Sequence, residues 1–300
     1  MEIRSGAVQP VECISKGWEL IKNDYWTFFG VSTVAMIIIL VLALVVGFIN
    51  QAISLGLMMA IGGGDLNRNA EMAGAGMVVV QVISTVLGLI GNIIVATCSG
   101  TMFCGIYAAM SKKSSTGFAD FGQVFAGLSK VLPNLVYAVI MMLLQFALML
   151  GAVAIFAVFG LTAGANGEGF EKVMAGMLGI AVVVGIIAIL IAILISVLTT
   201  FVYPLLAERN VGGFEALMLS VRAGFANFGG LLLLAILNGL IAIGGFFACI
   251  VGILFVLPIM WAGIYAAYQD VFGRIGGELN QQPPPPPVWD NNPGGFQPGY

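Results

Sequence analysis

The chain has 300 residues, of which 60% are hydrophobic and only 8% charged, with a formal net charge of −3 and a mean hydropathy of +1.07. Soluble domains carry about 25% charged residues, so a water-soluble globular fold is excluded. Histidine is absent, which removes HExxH metalloprotease and Ser–His chemistry, because both need an imidazole.

In chain order, residues 1–28 read as a cytoplasmic N-terminal amphipathic segment. Within "VECISKGWELIKN", Val11, Ile14, Trp18 and Ile21 recur at intervals of three and four and so share one helix face. Five stretches free of Asp, Glu, Lys and Arg follow, ending against Asp65, Lys112, Glu168, Glu208 and Asp270. A helix needs about 20 apolar residues to cross roughly 30 Å of hydrocarbon. Each stretch holds one such span, and the last holds two. The expected spans are about 29–50, 76–98, 135–160, 175–203, 228–246 and 249–269, which makes 29–273 a six-span membrane domain. The fold class expected is an all-α membrane protein with six transmembrane helices in three hairpins, each preceded by a cytoplasmic amphipathic helix.

The three hairpins look like copies. Segments "FGQVFAGLSKVLPN" and "FEALMLSVRAGFAN" repeat the plan of the first, ending in Asn close to a span. Their apolar sets are Phe121, Phe125, Leu128 and Leu132, and then Phe214, Met218, Val221 and Phe225. The returning spans finish on similar phrases, "GIYAAM" at 105–110, "FVYPLL" at 201–206 and "GIYAAY" at 263–268. A match in phase with span and helix pattern points to internal duplication. The three helices have two readings. Either they lie flat with Trp18, Phe125 and Phe225 at the headgroup boundary, or they fold against the bundle and cap it.

With six spans, nine basic residues fall on the side of the termini and two, Arg68 and Lys172, on the other. Positive residues near spans stay in the cytoplasm, so both termini are expected inside. The first apolar run, from near Phe28, is longer than a signal-peptide core, so no cleavable leader is expected. The four cysteines show no CxxC spacing, and no disulfide is expected.

The phrases "ISKGWELIKNDYWTFFG", "FVYPLLAERNVGGFEALMLSVRAGFANFGGLLLL" and "CIVGILFVLPIMWAGIYAAYQDVFG" resemble a broad set of bacterial six-span integral membrane proteins. They are similar to the membrane domain attached to some glycerophosphodiester phosphodiesterases, over most of residues 11–273. The resemblance implies the bacterial cytoplasmic (inner) membrane. It does not carry the phosphodiesterase activity, because no catalytic barrel and no residue of its catalytic set is present.

No charged residue is expected inside a span, which argues against proton relays and carboxylate ion paths. Uncharged polar residues remain. Gln81, Thr85, Asn92 and Ser99 fall on one face of the second span, with Asn238 on the fifth. They form either a polar path or a packing stripe, and small and amide residues serve packing wherever membrane helices meet. Gln145, Thr199, Thr200 and Asn238 are candidates either for partners on other spans or for local backbone bonds. Pro204 and Pro258, late in their spans, are expected to kink them.

The last residues, 274–300, contain five consecutive prolines and read as a disordered cytoplasmic tail. Pro283, Pro287, Trp289 and Tyr300 are its candidate contacts with a cytoplasmic or membrane protein. Membrane lipids are the other expected partner. No nucleic-acid partner, metal or cofactor is expected, and neither is enzyme activity. The functional expectation is a non-catalytic scaffold or assembly subunit. The alternative is a permease or lipid-handling protein with an uncharged polar path.

Overall fold

The structure, a computed structural model, describes residues 3–62, 70–165, 169–247 and 250–273. Pro283, Pro287, Trp289 and Tyr300, with the rest of the expected tail, lie outside the described residues, as do Arg68 and Cys249.

Every described element is a helix. In order they are α1 (Pro10–Ile21), a single 3₁₀ turn (Lys22–Asp24), α2 (Tyr25–Gly62), α3 (Ala70–Thr116), a 3₁₀ helix (Phe121–Lys130), α4 (Val131–Ala165), α5 (Phe170–Leu198), α6 (Val202–Glu208), α7 (Gly213–Ala226), α8 (Phe228–Phe247) and α9 (Ile250–Phe272). Six helices are long and apolar enough to cross a membrane. In hydrocarbon the backbone must satisfy its own hydrogen bonds, and a continuous helix does so without a neighbour. The helices overrun the expected spans. α2 begins at Tyr25 and reaches Gly62, and α3 runs unbroken through "GIYAAM" to Thr116. Charge and polarity bound the apolar run, but they do not stop a helix that can continue into the interface.

The six spans form three hairpins, α2/α3, α4/α5 and α8/α9. Ser54 and Ser84 hydroxyls meet at 2.8 Å between α2 and α3. Gly245 abuts Gly252 and Val256 between α8 and α9. Between α4 and α5, Phe159 lies against Gly176 at the far turn.

Burial is concentrated at one end, the end that carries Ile21, Phe28, Ile106, Met110, Phe201, Leu205, Leu206, Tyr265 and Tyr268, all less than 2% exposed. We call it the terminal end, since the N-terminal segment lies there beside the close of α9, Arg4 N–H donating to Val271 carbonyl at 3.1 Å. The most apolar windows of α4 and of α5 contain no buried residue, against 39% in α9. Their side chains face outward, as in helices solvated by lipid.

At the terminal end each short preceding helix docks on another hairpin: α1 on α9, the 3₁₀ helix on α3, and α7 on α4, α5 and α6. The docking faces are small residues. A Cβ on Gly17 would lie 2.6 Å from the backbone of Ala262 and Gly263. One on Gly127 would lie 1.8 Å from the Thr101 carbonyl oxygen, and one on Gly105 would lie 2.0 Å from that of Val124. On α7, Gly213, Ala216, Ser220, Ala223 and Gly224 are buried.

The bulky residues point the other way. Val11 is 71% exposed and Trp18 42%; Phe121, Phe125, Leu128, Leu132, Phe214, Met218 and Phe225 are also exposed. Of the four sequence-derived residues on α1, only Ile21 is fully buried. Of the two readings of these helices, the structure describes the second. They fold against the bundle through small residues and turn their large apolar residues outward.

Polar groups close the same end. Lys16 reaches Asp270 at 2.9 Å and Lys112 reaches Asp120 at 2.7 Å, while Lys113 pairs with Asp24. Asp120 also caps the 3₁₀ helix, accepting from Gly122 N–H at 2.9 Å. The Lys112 ammonium, and then this cap, hold the Asp120 carboxyl below its ordinary 3.8. Tyr265 donates to Glu208, and Arg209 donates to the Tyr268 hydroxyl at 3.1 Å and to the Phe272 carbonyl at 2.9 Å. Of the three recurring asparagines, Asn134 and Asn227 are buried and Asn23 is exposed. Asn227 accepts from Ala7 N–H at 2.9 Å and donates to the Arg4 carbonyl at 3.0 Å, pinning the N-terminal segment.

Candidate functional site

The fourth span is not one helix. α5 ends at Leu198, and Thr199–Phe201 form a turn before α6 opens at Val202. Proline carries no N–H, and its ring collides with the carbonyl four residues back. At Pro204 that carbonyl belongs to Thr200, so the helix yields there and restarts with Pro204 in the first turn of α6, where proline is tolerated. The expected kink is thus a break. Pro258, by contrast, sits inside a continuous α9.

A break inside apolar surroundings leaves backbone groups to be satisfied. Ser220 of α7 does this from the side. Its hydroxyl donates to the Leu198 carbonyl at 2.7 Å and accepts from Phe201 N–H at 3.1 Å. Thr199 and Thr200 hydroxyls donate to the carbonyls of Ile195 and Ser196, each at 2.8 Å. Sequence reading gave Thr199 and Thr200 as partners for other spans or as local backbone donors, and they are the latter. It passed over Ser220, whose signal is a lone hydroxyl among the apolar and basic residues of α7.

Beyond its terminal end, where Asn134 packs against Gly100 of α3, α4 leaves open space toward both neighbours. Toward α3 there is a space of about 440 Å³ with Asn92, Tyr137, Gln145 and Tyr203 on its walls. Toward α5 there is a second, of about 730 Å³, with Gln145, Ser196 and Thr199 among mostly aliphatic walls. Met141, Gln145 and Met149 line both. They are spaced by four, so one face of α4 separates and joins the two spaces. Tyr137 and Tyr203 meet edge-on at the terminal end of the first, ring centroids 5.7 Å apart. Gln145 lies ten residues past the expected start of its span at 135, about 15 Å at 1.5 Å per residue, half of a hydrocarbon layer of roughly 30 Å.

Of the sequence-derived stripe, only Asn92 belongs to this chamber, which is open along its side and leaves both Asn92 and Gln145 exposed. Gln81 and Thr85 are exposed, and the Thr85 hydroxyl donates to the Gln81 carbonyl at 2.7 Å. Ser99 donates to the Val95 carbonyl at 2.7 Å. Asn238 is buried in α8, with its side-chain oxygen unpartnered among the described residues. It does not line the space that holds Asn92. A path joining Gln81, Asn92 and Asn238 is not formed; Asn92 is joined instead by Gln145, Tyr137 and Tyr203. The helical stripe could not reveal this, since it orders residues along one helix and leaves open which neighbour each faces.

Cys13, Cys98 and Cys104 are free thiols. No group of three or more His, Cys, Asp or Glu side chains among the described residues is placed to hold a metal. Comparison with protein families, with curated proteins and with solved structures returns no match. The geometry around α4 therefore carries the functional reading.

Proposed function

We propose that this chain is a lipid-handling integral membrane protein that holds a membrane amphiphile in the paired spaces around α4. One observation carries the reading: Gln145 and Asn92, each close to the middle of its helix, present amides to a gap whose other walls are mostly aliphatic and aromatic and carry no charge. A polar group in hydrocarbon is costly unless hydrogen-bonded, and intramembrane polar residues face protein partners or ligands for that reason. The break at Thr199–Phe201 lies at the foot of the same gap and leaves α5 free of continuous packing on α4. In this reading the three hairpins are copies of one duplicated unit, and both termini lie on the cytoplasmic side of the inner membrane, in keeping with the bias of basic residues.

The scaffold reading rests on missing active-site chemistry and on the tail at 274–300, which lies outside the described residues. The lipid reading depends on side chains whose positions are described, and we favour it. No side chain is assigned a catalytic role.

The test is gentle extraction of the full chain, with bound lipid identified by mass spectrometry, beside a Met149→Trp variant that fills the shared face. The expected result is a lipid retained by the parent and lost from the variant. Equal retention by both would place any bound lipid elsewhere and end the proposal.

A further inference from the structure

Resting on that reading, we infer that the chamber selects an uncharged, hydroxyl- and carbonyl-bearing amphiphile of the diacylglycerol type over a phosphate-bearing one. No residue lining either space is charged, and the polar groups offered are amides and hydroxyls: Asn92, Gln145, Tyr137, Tyr203, Ser196 and Thr199. Amide NH₂ groups donate to ester carbonyls, and amide oxygens accept from a free hydroxyl. Together they match a neutral glycerolipid head group in both senses.

A phosphate would find no counter-charge in the chamber. The nearest cations along the chain, Lys130 before α4 and Arg209 after α6, lie at the terminal end, the first engaged with Asn210 at 2.9 Å and the second with the Tyr268 hydroxyl and the Phe272 carbonyl. An ionised group moved to the depth of Gln145 without a partner pays a desolvation cost far above that of a hydroxyl. A phospholipid therefore keeps its head at the surface, whereas a neutral lipid can bring its polar group down to the two amides. The aliphatic walls on the α5 side, among them Leu148, Ile187 and Ile191, receive the chains. Each space falls in the range of about 300–1,000 Å³ typical of small-molecule sites.

The experiment uses the full chain in lipid nanodiscs with two photoreactive probes. One is a diacylglycerol with a diazirine in one acyl chain; the other is phosphatidic acid with identical chains. Labelling is mapped by proteolysis, comparing residues 141–149 of α4 with the exposed face of α8 around Leu233 and Leu240. The expected result is about ten-fold more α4 labelling by the diacylglycerol, equivalent to about 1.4 kcal/mol. Asn92→Leu with Gln145→Leu should bring it down to the phosphatidic acid level without changing labelling of α8. The unchanged α8 pattern reports that the variant is folded. If both probes label α4 equally and above α8, the chamber takes lipid but the selection for a neutral head is wrong. If neither labels α4 above α8, the lipid-handling reading itself falls, and this inference with it.

Discussion

At the terminal end, helices meet backbone to backbone through Gly17, Gly105, Gly127 and Gly213. Around Gln145 the same helices stand apart, and Gly151, Gly179 and Gly185 have nothing within reach of a side chain. Glycine is abundant in both regions and serves opposite ends. In the first it removes the one atom that would keep two helices apart, and small residues are how membrane helices gain contact when lipid is as apolar as leucine. In the second, Gly151 thins the wall of a gap, and Gly179 and Gly185 meet no neighbour. Glycine content alone therefore says nothing about packing; what faces each glycine decides it.

The largest effects should fall where that contrast is sharpest. Gly127→Leu must displace the backbone of α3, and overpacking of this kind costs about 3 kcal/mol or more. Gly151→Ala and Gly185→Ala should stay within about 0.5 kcal/mol of the parent. Denaturant unfolding in mixed micelles compares them, and equal losses at Gly127 and Gly151 would erase the distinction between the ends.

Ser220→Ala comes next. It strips the Leu198 carbonyl and the Phe201 N–H of their partner in a buried setting, for about 1–3 kcal/mol. Hydrogen exchange at Phe201 should accelerate in that variant while exchange in α9 stays unchanged. A smaller effect, about 0.6 kcal/mol, is expected for Ser84→Ala, which removes the hydroxyl pair with Ser54. A loss as large as that at Ser220 would mean that the open half is packed more tightly than its exposure indicates.

The smallest effect is electrostatic. The Asp120 carboxyl is depressed by Lys112 and by the Gly122 cap, so its contribution to stability is present above the unfolded value. It is lost as pH falls through the lower folded value. Thermal unfolding of the parent should therefore weaken below about pH 4 more steeply than that of Asp120→Asn. Parallel acid limbs would remove this link.

The sequence was most legible where hydrocarbon thickness dictates the answer. Charge-free runs gave six spans because a helix that crosses lipid needs length and apolarity and little else. The short helices were legible in existence but not in orientation. Val11, Trp18, Phe125 and Phe225 show the helical period that marks a core-facing stripe in a soluble protein. In a membrane protein, the outward face is the apolar one. The inward face was marked by Gly17, Gly127 and Ser220, whose small size carries no hydropathy signal. The chamber was half legible. Asn92 stood out as an amide in an apolar run, and so did Gln145, but that both flank α4 is a fact of packing between helices.

The central claim is that the short helices grip the bundle with small residues and give their large ones to lipid. Single-tryptophan variants test it most directly: Trp18 alone, or Phe125→Trp or Phe225→Trp with the other tryptophans replaced by phenylalanine. Each is placed in bilayers brominated at graded depths. All three should be quenched most strongly by bromines near the head groups, about 5–10 Å into the leaflet. Fluorescence untouched by bromine at every depth would show these rings turned into protein and would contradict the account.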